Sequence, residues 1–541
     1  MRLPQFGNRA AEYFLACMKT AQNNLSSIKT GAWIRISLEF LLLALSLAWI
    51  STGFVSFHGW ISFLGVLLIG AGLIWLGWSA IQSVRPPKWL WTALIAAALL
   101  RLLFGVFWLL ALPAWGYDTP VQNAGYIMAD AYDRDNAAWE LSQSDSPLIS
   151  AFQDYSRTDQ YGGLLFLSAF VYKYIGRNMH QPLLIIVFTA SFSALAVVFT
   201  WAIAKRIWGD NVSKISAWLL VIYPEAVLLG SSQMREAFMV TLAAAAIYGL
   251  IRYWPNRSWK NGLWFILPLA ASVPLSLPFP LLLFVVLAVS AIALDEWHLL
   301  KSKRFWTALG GFSLAILIVE ALNLYDFSKL WVFQAARWQA YYSESASGWV
   351  QRTFERFPDG MEWAQRPFLV GYGIFRPLLP ASFFDGIPLM RALAIWRALG
   401  WTLLLAMLFY ATFLVLRGLE RNKLAGGFVT ISWMIVVVAS LRGGGDQWDN
   451  PRYRSAFAGV QIALAGWALV KQREVNDPWL RRALVGTTMM IAWFIPWYLR
   501  RYTAFTWPVV ALHQTIGLGL ISAFLFIIWD WVRLRDSQAK G

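Results

Sequence analysis

PLLIIVFTASFSALAVVFTWAIAKR, residues 182–206, decides the class of fold. From 182 to 204 no charged residue interrupts it, and Lys205 and Arg206 then close it. About 20 apolar residues cross a bilayer as an α-helix, and a Lys/Arg ending marks a cytoplasmic end. The other residues repeat this pattern: across the 541-residue chain 58% are hydrophobic and 14% charged, with a mean hydropathy of +0.53. A soluble protein carries about 25% charged residues, so a cytosolic enzyme is excluded. Lys and Arg outnumber Asp and Glu by 45 to 29, a net +16 at pH 7. On a soluble chain that excess would suggest nucleic acid. Here the basic residues sit at the ends of apolar runs, and no nucleic-acid partner is expected. Cys17 is the one cysteine, which rules out intrachain disulfides and cysteine metal sites, and four His leave little for an all-His zinc site.

Working outward, apolar runs fall at 37–56, 60–80, 89–113, 182–204, 213–230, 234–253, 262–276, 278–296, 304–323, 398–416, 424–441, 453–470, 484–499 and 509–532. They predict an all-α polytopic membrane protein of about 12–14 spans. Pro268, Pro274, Pro278 and Pro280 break 262–296 into two short helices or a re-entrant pair. Arg85, Lys88, Lys205, Arg206, Arg257, Lys260, Lys301, Lys303, Arg304, Arg421, Lys423, Lys471, Arg473, Arg481 and Arg482 then share one side, the cytoplasmic one. The alternation holds if 161–176 is an interfacial helix and not a full crossing. The organisation is a cytoplasmic surface segment, 1–35, without the apolar core of a signal peptide, and two helices in 36–88. A core in 89–324 carries a first outer loop at 114–181. A second outer loop, 325–395, precedes the C-terminal helices in 396–541. Loops this long usually carry function, and their Trp, Tyr, Phe and Pro content argues against disorder.

The first outer loop holds Asp118, Asp130, Asp133, Asp135, Glu140, Asp145, Asp154 and Asp159. GYIMADAYDRDNAAWELSQ, 125–143, reads as helical from Asp130, which places Asp130 one turn from Asp133 and Arg134. Such carboxylates suit coordination of a divalent cation or general-base work on a hydroxyl, and they also fit a plain solvated helix face. SSQMREAF, 231–238, sets Arg235 and Glu236 at the outer mouth of a helix pair, either facing a cavity or snorkelling to the interface. GGGDQWDNPRYRSAF, 443–457, delivers Arg452, Tyr453 and Arg454 against the positive-inside trend. Guanidinium forks grip phosphate oxygens in bidentate fashion; headgroup anchoring is the simpler alternative. Arg101, Glu225 and Glu320 fall inside spans, where pairing with one another would hold the bundle together.

The order of these features resembles the GT-C superfamily of polytopic glycosyltransferases, in particular its protein-mannosyltransferase and aminoarabinose-transferase-like branch. Asp135, Trp139 and Ser142 in RDNAAWELS match the family's pattern of Asp, aromatic and small residue. DQYGGLLFLSAFVYKYIG from Asp159, YPEAVLLGSSQMREAF from Tyr223 and NPRYRSAF resemble its surface helix, its short helix pair and its Pro-Arg-Tyr element. Two extra runs precede the core, and Glu236 stands where many members carry Asp. The resemblance implies inverting transfer of a hexose or pentose from a polyprenyl-phosphate donor to a hydroxyl acceptor (lipid, glycan or protein). The reaction would take place on the extracytoplasmic face of the cell membrane. It implies Asp135 as base, in preference to Asp133, Asp130 and Asp118, and Arg235, Arg452, Arg454 and Tyr453 at the donor phosphate. A divalent cation, Mg or Mn, is the one cofactor it could bring, through Asp133 or Glu236. Two other activities use such a scaffold: a lipid-linked glycan ligase or polymerase, and a transporter or flippase, which would need matching broken repeats.

Overall fold

The computed structural model describes the chain apart from residues 1–29, 53–56, 154, 156–157, 178, 296–297, parts of 304–318, 319–347, 359, 385, 420–422, 444–448, 504–510 and 540–541. Among the described residues there is no strand. The first half runs α1 (Thr30–Thr52), α2 (Phe57–Ala80), α3 (Lys88–Trp115), α4 (Ala129–Gln143), α5 (Gly163–Phe170), α6 (Pro182–Trp208), α7 (Asp210–Ile222), α8 (Pro224–Gly230) and α9 (Arg235–Tyr253). There follow α10 (Trp259–Ser272), α11 (Pro278–Leu294), α12 (Gln365–Phe375), α13 (Pro388–Leu416), α14 (Lys423–Gly443), α15 (Asp449–Ser455), α16 (Ala458–Val475), α17 (Trp479–Tyr502) and α18 (Leu512–Ala539). The chain is an all-α polytopic membrane protein.

Among the described residues seven helices are long and apolar enough to cross a membrane, or eight if the bent pair α7–α8 counts as one span. That is fewer than the sequence predicts, although each apolar run except 304–323, which lies largely outside the described residues, is helical over most of its length. The shortfall is one of length in two cases. α10 has 14 residues and α11 has 17, so they rise about 21 and 26 Å, short of a hydrocarbon core of about 30 Å. Two helices, not one broken span, therefore account for 262–296. The run 213–230 is not continuous either: α7 and α8 meet at 53°. Tyr223 is extended (φ −62°, ψ 120°), the conformation favoured before proline, and Pro224 opens α8 without needing an N–H.

α6 and α9 form the centre. Buried residues make up 78% and 89% of their apolar stretches, against 17% for α18, which therefore lies at the lipid edge. Small residues bring these helices close, as expected where packing has no help from water. A Cβ on Gly249 would lie 2.4 Å from the Trp264 backbone in α10, and one on Gly466 would lie 2.3 Å from Ser216 Oγ in α7. Arg101 is fully buried and donates to Ala97 O at 2.9 Å, whereas Glu225 pairs with Arg397 at 2.7 and 3.3 Å. The expected pairing of Arg101 with Glu225 is thus replaced by backbone capture for one and a different arginine for the other; Glu320 lies outside the described residues.

The two ends of the bundle differ. At one, Arg252 donates to Ala80 O at 3.1 Å, Arg206 packs on Tyr248 and Arg257 pairs with Asp295 at 3.7 Å. These contacts gather the ends of α2, α6, α9 and α11. At the other end lie α4, α5, the 231–234 turn and α15. α5 continues as a π-helical turn, Val171–Ile175, and is too short to cross. It docks where Gly163 N–H donates to Pro274 O at 3.0 Å; a Cβ at 163 would lie 2.2 Å from that oxygen, so the approach requires glycine.

Candidate functional site

α4 organises the acidic end. Its Asp130 sits in the first turn, where a carboxylate is favoured by the helix dipole. Ala131, Ala137, Ala138 and Leu141 are buried, and Asp133 and Glu140 are exposed. Arg134 and Asp135, consecutive and about 100° apart around the axis, enter two different environments.

Arg134 belongs to an ion-pair network drawn from distant parts of the chain. Its Nε lies 3.6 Å from Asp159 Oδ2, and its Nη1 donates to Gln233 O at 2.9 Å. Asp159 Oδ1 is 3.6 Å from Arg235, and Oδ2 accepts the Leu165 N–H in the first turn of α5. Arg235 lies over the Tyr161 ring. Arg452 donates to Asp130 Oδ2 at 2.6 Å and lies 3.7 Å from Glu236. Three carboxylates thus face three guanidiniums. Burial pulls the Asp130 carboxyl upward, but Arg452, with Arg134 and Arg235 behind it, outweighs burial and holds it below the usual range. Arg134 is lowered by its own burial, which the surrounding carboxylates only partly offset.

Among the described residues no guanidinium pairs with Asp135. Its side chain is 0% exposed, and three donors hold it: Tyr172 Oη at 2.5 Å on Oδ1, Tyr126 Oη at 2.5 Å and His180 Nε2 at 2.8 Å on Oδ2. Trp139, one turn along α4, stacks on the His180 ring at 5.2 Å and 16°, and Tyr172 meets that ring edge-on at 5.3 Å. Burial first, and the charge of Asp135 next, push both phenols well above the usual tyrosine range, so they remain O–H donors.

A third cluster lies deeper. The Arg454 guanidinium stacks 3.2 Å from the Trp401 ring centre with no exposed surface. None of its nitrogens makes a geometrically sound hydrogen bond among the described residues, although Tyr223 is a neighbour. Arg376 and Arg397 lie nearby with Glu225.

Of the residues singled out by sequence, the structure brings together Asp130, Arg235, Glu236 and Arg452. It puts Asp135 in the adjoining pocket and Arg454 in the buried cluster, apart from the ion-pair network. Tyr453 lies between Arg442 and Arg452, at 5.5 and 5.4 Å from their guanidiniums. Asp133 is exposed, and Asp118 accepts from Asn123 in an exposed turn. Residues 444–448 of the Gly-rich turn and 331–342 of the second loop lie outside the described residues. Asp133 and Glu236 do not fit a divalent cation. No metal-competent group of three acids, His or Cys occurs among the described residues, and Glu236 faces a guanidinium where a cation would have to sit.

Asp159 is the member whose role sequence reading missed, although its place just before Gly162–Gly163 is a helix-start signal. Tyr126, Tyr172 and His180 were missed as well; nothing in their spacing links them to Asp135.

No family model and no characterised protein sequence matches the chain. Among solved structures, the archaeal oligosaccharyltransferase AglB from Archaeoglobus fulgidus, in complex with an inhibitory peptide and a dolichol-phosphate, is similar at 12% identity and a TM-score of 0.35. The match covers 81% of this chain and 56% of that protein, so the chain spans little more than half of its length.

Proposed function

We propose that the chain is a membrane glycosyltransferase of the GT-C type, transferring a sugar from a polyprenyl-phosphate donor to a hydroxyl acceptor with inversion, on the extracytoplasmic side of the cell membrane. One observation carries this reading. Asp130 from α4, Arg235 and Glu236 from α9, and Arg452 from α15 converge at the end of the bundle that also holds Asp135. They stand 105 or more residues apart except within α9, so local chain geometry does not bring them together.

The chemistry asks for this separation of tasks. The acceptor oxygen attacks the anomeric carbon and gives up its proton, while the bond to the phosphate oxygen breaks and the electron pair leaves with the lipid phosphate. Developing negative charge there needs fixed cations. Arg235 and Arg452, 19% and 13% exposed, are the arginines of the network that a headgroup can reach. Asp130 and Glu236 hold the Arg452 fork in place until the phosphate replaces one of them. Asp135 supports proton removal from the acceptor. Membrane lipids surround the rest of the bundle.

Reconstituted protein tests the reading with polyprenyl-phosphate-linked mannose, glucose and arabinose carrying tritium in the sugar. The expected result is release of polyprenyl phosphate with label passing to a hydroxyl acceptor, reduced in Arg452→Gln. Labelled donor that crosses the bilayer unchanged, with no bond broken, would instead make the chain a transporter.

A further inference from the structure

Asp135 cannot itself reach an acceptor. Its carboxylate has no exposed surface, and both oxygens are already engaged by donors. A hydroxyl would have to displace a buried phenol to approach it. His180 is different: it is 29% exposed while bonded to Asp135 through Nε2. An ionised carboxylate only accepts, so that nitrogen carries the hydrogen, a tautomer assigned from the network. The lone pair then belongs to Nδ1, for which no hydrogen bond occurs among the described residues. The ring is fixed on one face by Trp139 and on its edge by Tyr172. A buried carboxylate orienting an imidazole whose other nitrogen is open is the arrangement that activates a hydroxyl in hydrolases.

We propose that His180 is the general base of the transfer and that Asp135 is a positioning residue acting through it. This rests on the glycosyltransferase reading. The acceptor O–H gives its proton to Nδ1 as oxygen forms its bond to the anomeric carbon. The bond from that carbon to the phosphate oxygen breaks, and polyprenyl phosphate departs with the electron pair. Asp135 stabilises the imidazolium, which later releases its proton to water. Tyr126 and Tyr172 fix the carboxylate so that it can only face Nε2. The ionisable groups facing the imidazole are Asp135 from α4, Tyr172 from the π-helical turn and Tyr126 from the preceding loop.

The test begins without substrate. The chain has four histidines, His58, His180, His298 and His513, so nitrogen-15 labelling of histidine in nanodiscs gives four pairs of ring-nitrogen signals, and His180→Gln assigns one pair. The expected spectrum of neutral His180 has Nε2 protonated and Nδ1 bare, with that bias lost in Asp135→Asn. A His180 protonated at Nδ1 overturns the proposal. With the tritiated donors, His180→Gln should lower transfer about 10²–10⁴-fold with donor binding unchanged, and the acid limb of the pH–rate profile should disappear. Added imidazole should restore part of the turnover in His180→Gly. Near wild-type transfer by His180→Gln overturns the base and leaves the transferase reading standing. A wild-type protein that turns over none of the donors overturns that reading and the base role with it, even where the tautomer is as expected.

Discussion

Arg134 and Asp135 are adjacent in α4, yet they serve two regions built on opposite principles. Around Arg134, three carboxylates balance three guanidiniums, and part of the network reaches solvent: the Asp130 side chain is 48% exposed. Around Asp135 a single buried carboxylate is satisfied by two neutral phenols and an imidazole. The first region can exchange a carboxylate for a phosphate at little electrostatic cost, because the arginines stay paired throughout. The second cannot exchange anything, because each donor is oriented toward one acceptor. Adaptable charge beside fixed neutral donors is what binding a headgroup and orienting a base would each require.

The largest expected effect separates charged from neutral partners. Asp159→Ala strips a carboxylate from two arginines and from the buried Leu165 N–H; breaking a buried ion pair costs about 3–5 kcal/mol, and the orphaned amide adds about 1–3 kcal/mol. Asp135→Ala leaves two buried phenols unpaired, at about 1–3 kcal/mol each, while His180 can turn to water. Unfolding in one detergent, followed by thermal or SDS titration, should rank Asp159→Ala as the more damaging. The reverse order would mean that the network is mostly solvated.

A smaller effect reads the network by pH. The Asp130 carboxyl is held below its ordinary value in the folded protein, so its contribution is complete above the unfolded value of about 4. It disappears as pH falls through the lower folded value. The difference in thermal midpoint between wild type and Asp130→Asn should be constant from pH 7 to 5 and shrink below about 4. A difference that grows on acidification would reverse the sign assigned to Arg452. The smallest effect belongs to Asp133→Asn, on the exposed face: stability within about 0.5 kcal/mol of wild type and unchanged transfer. Loss of turnover there would return Asp133 to the site.

Much of this was legible in the sequence, for definite reasons. Uninterrupted apolar length with basic ends located α2, α3, α6, α13 and α14. Arg235 of SSQMREAF stood out by its depth and the arginines of NPRYRSAF by breaking the charge trend, and Arg235 and Arg452 do meet acids of the first outer loop, Asp159 and Asp130. Arg454 looked equivalent to Arg452, but two residues along a helix is about 200° of rotation, which turns it inward onto Trp401. The choice among acids was not legible for the same reason: Asp130, Asp133 and Asp135 share composition and differ only in which wall each faces. His180 escaped because it stands alone before Gln181–Pro182, and only the fold carries it back to Asp135.

Donor binding and sugar transfer, measured together for Arg452→Lys and Asp135→Asn in one detergent preparation, test the division of labour most directly. Arg452→Lys keeps the charge and loses the planar fork, so donor binding should weaken about ten- to a hundredfold, the equivalent of one charge-assisted hydrogen bond. Asp135→Asn should bind donor as wild type does and transfer almost none of it. If both variants lose donor binding alike, or if Asp135→Asn still transfers at the wild-type rate, the two regions do not divide the reaction between them.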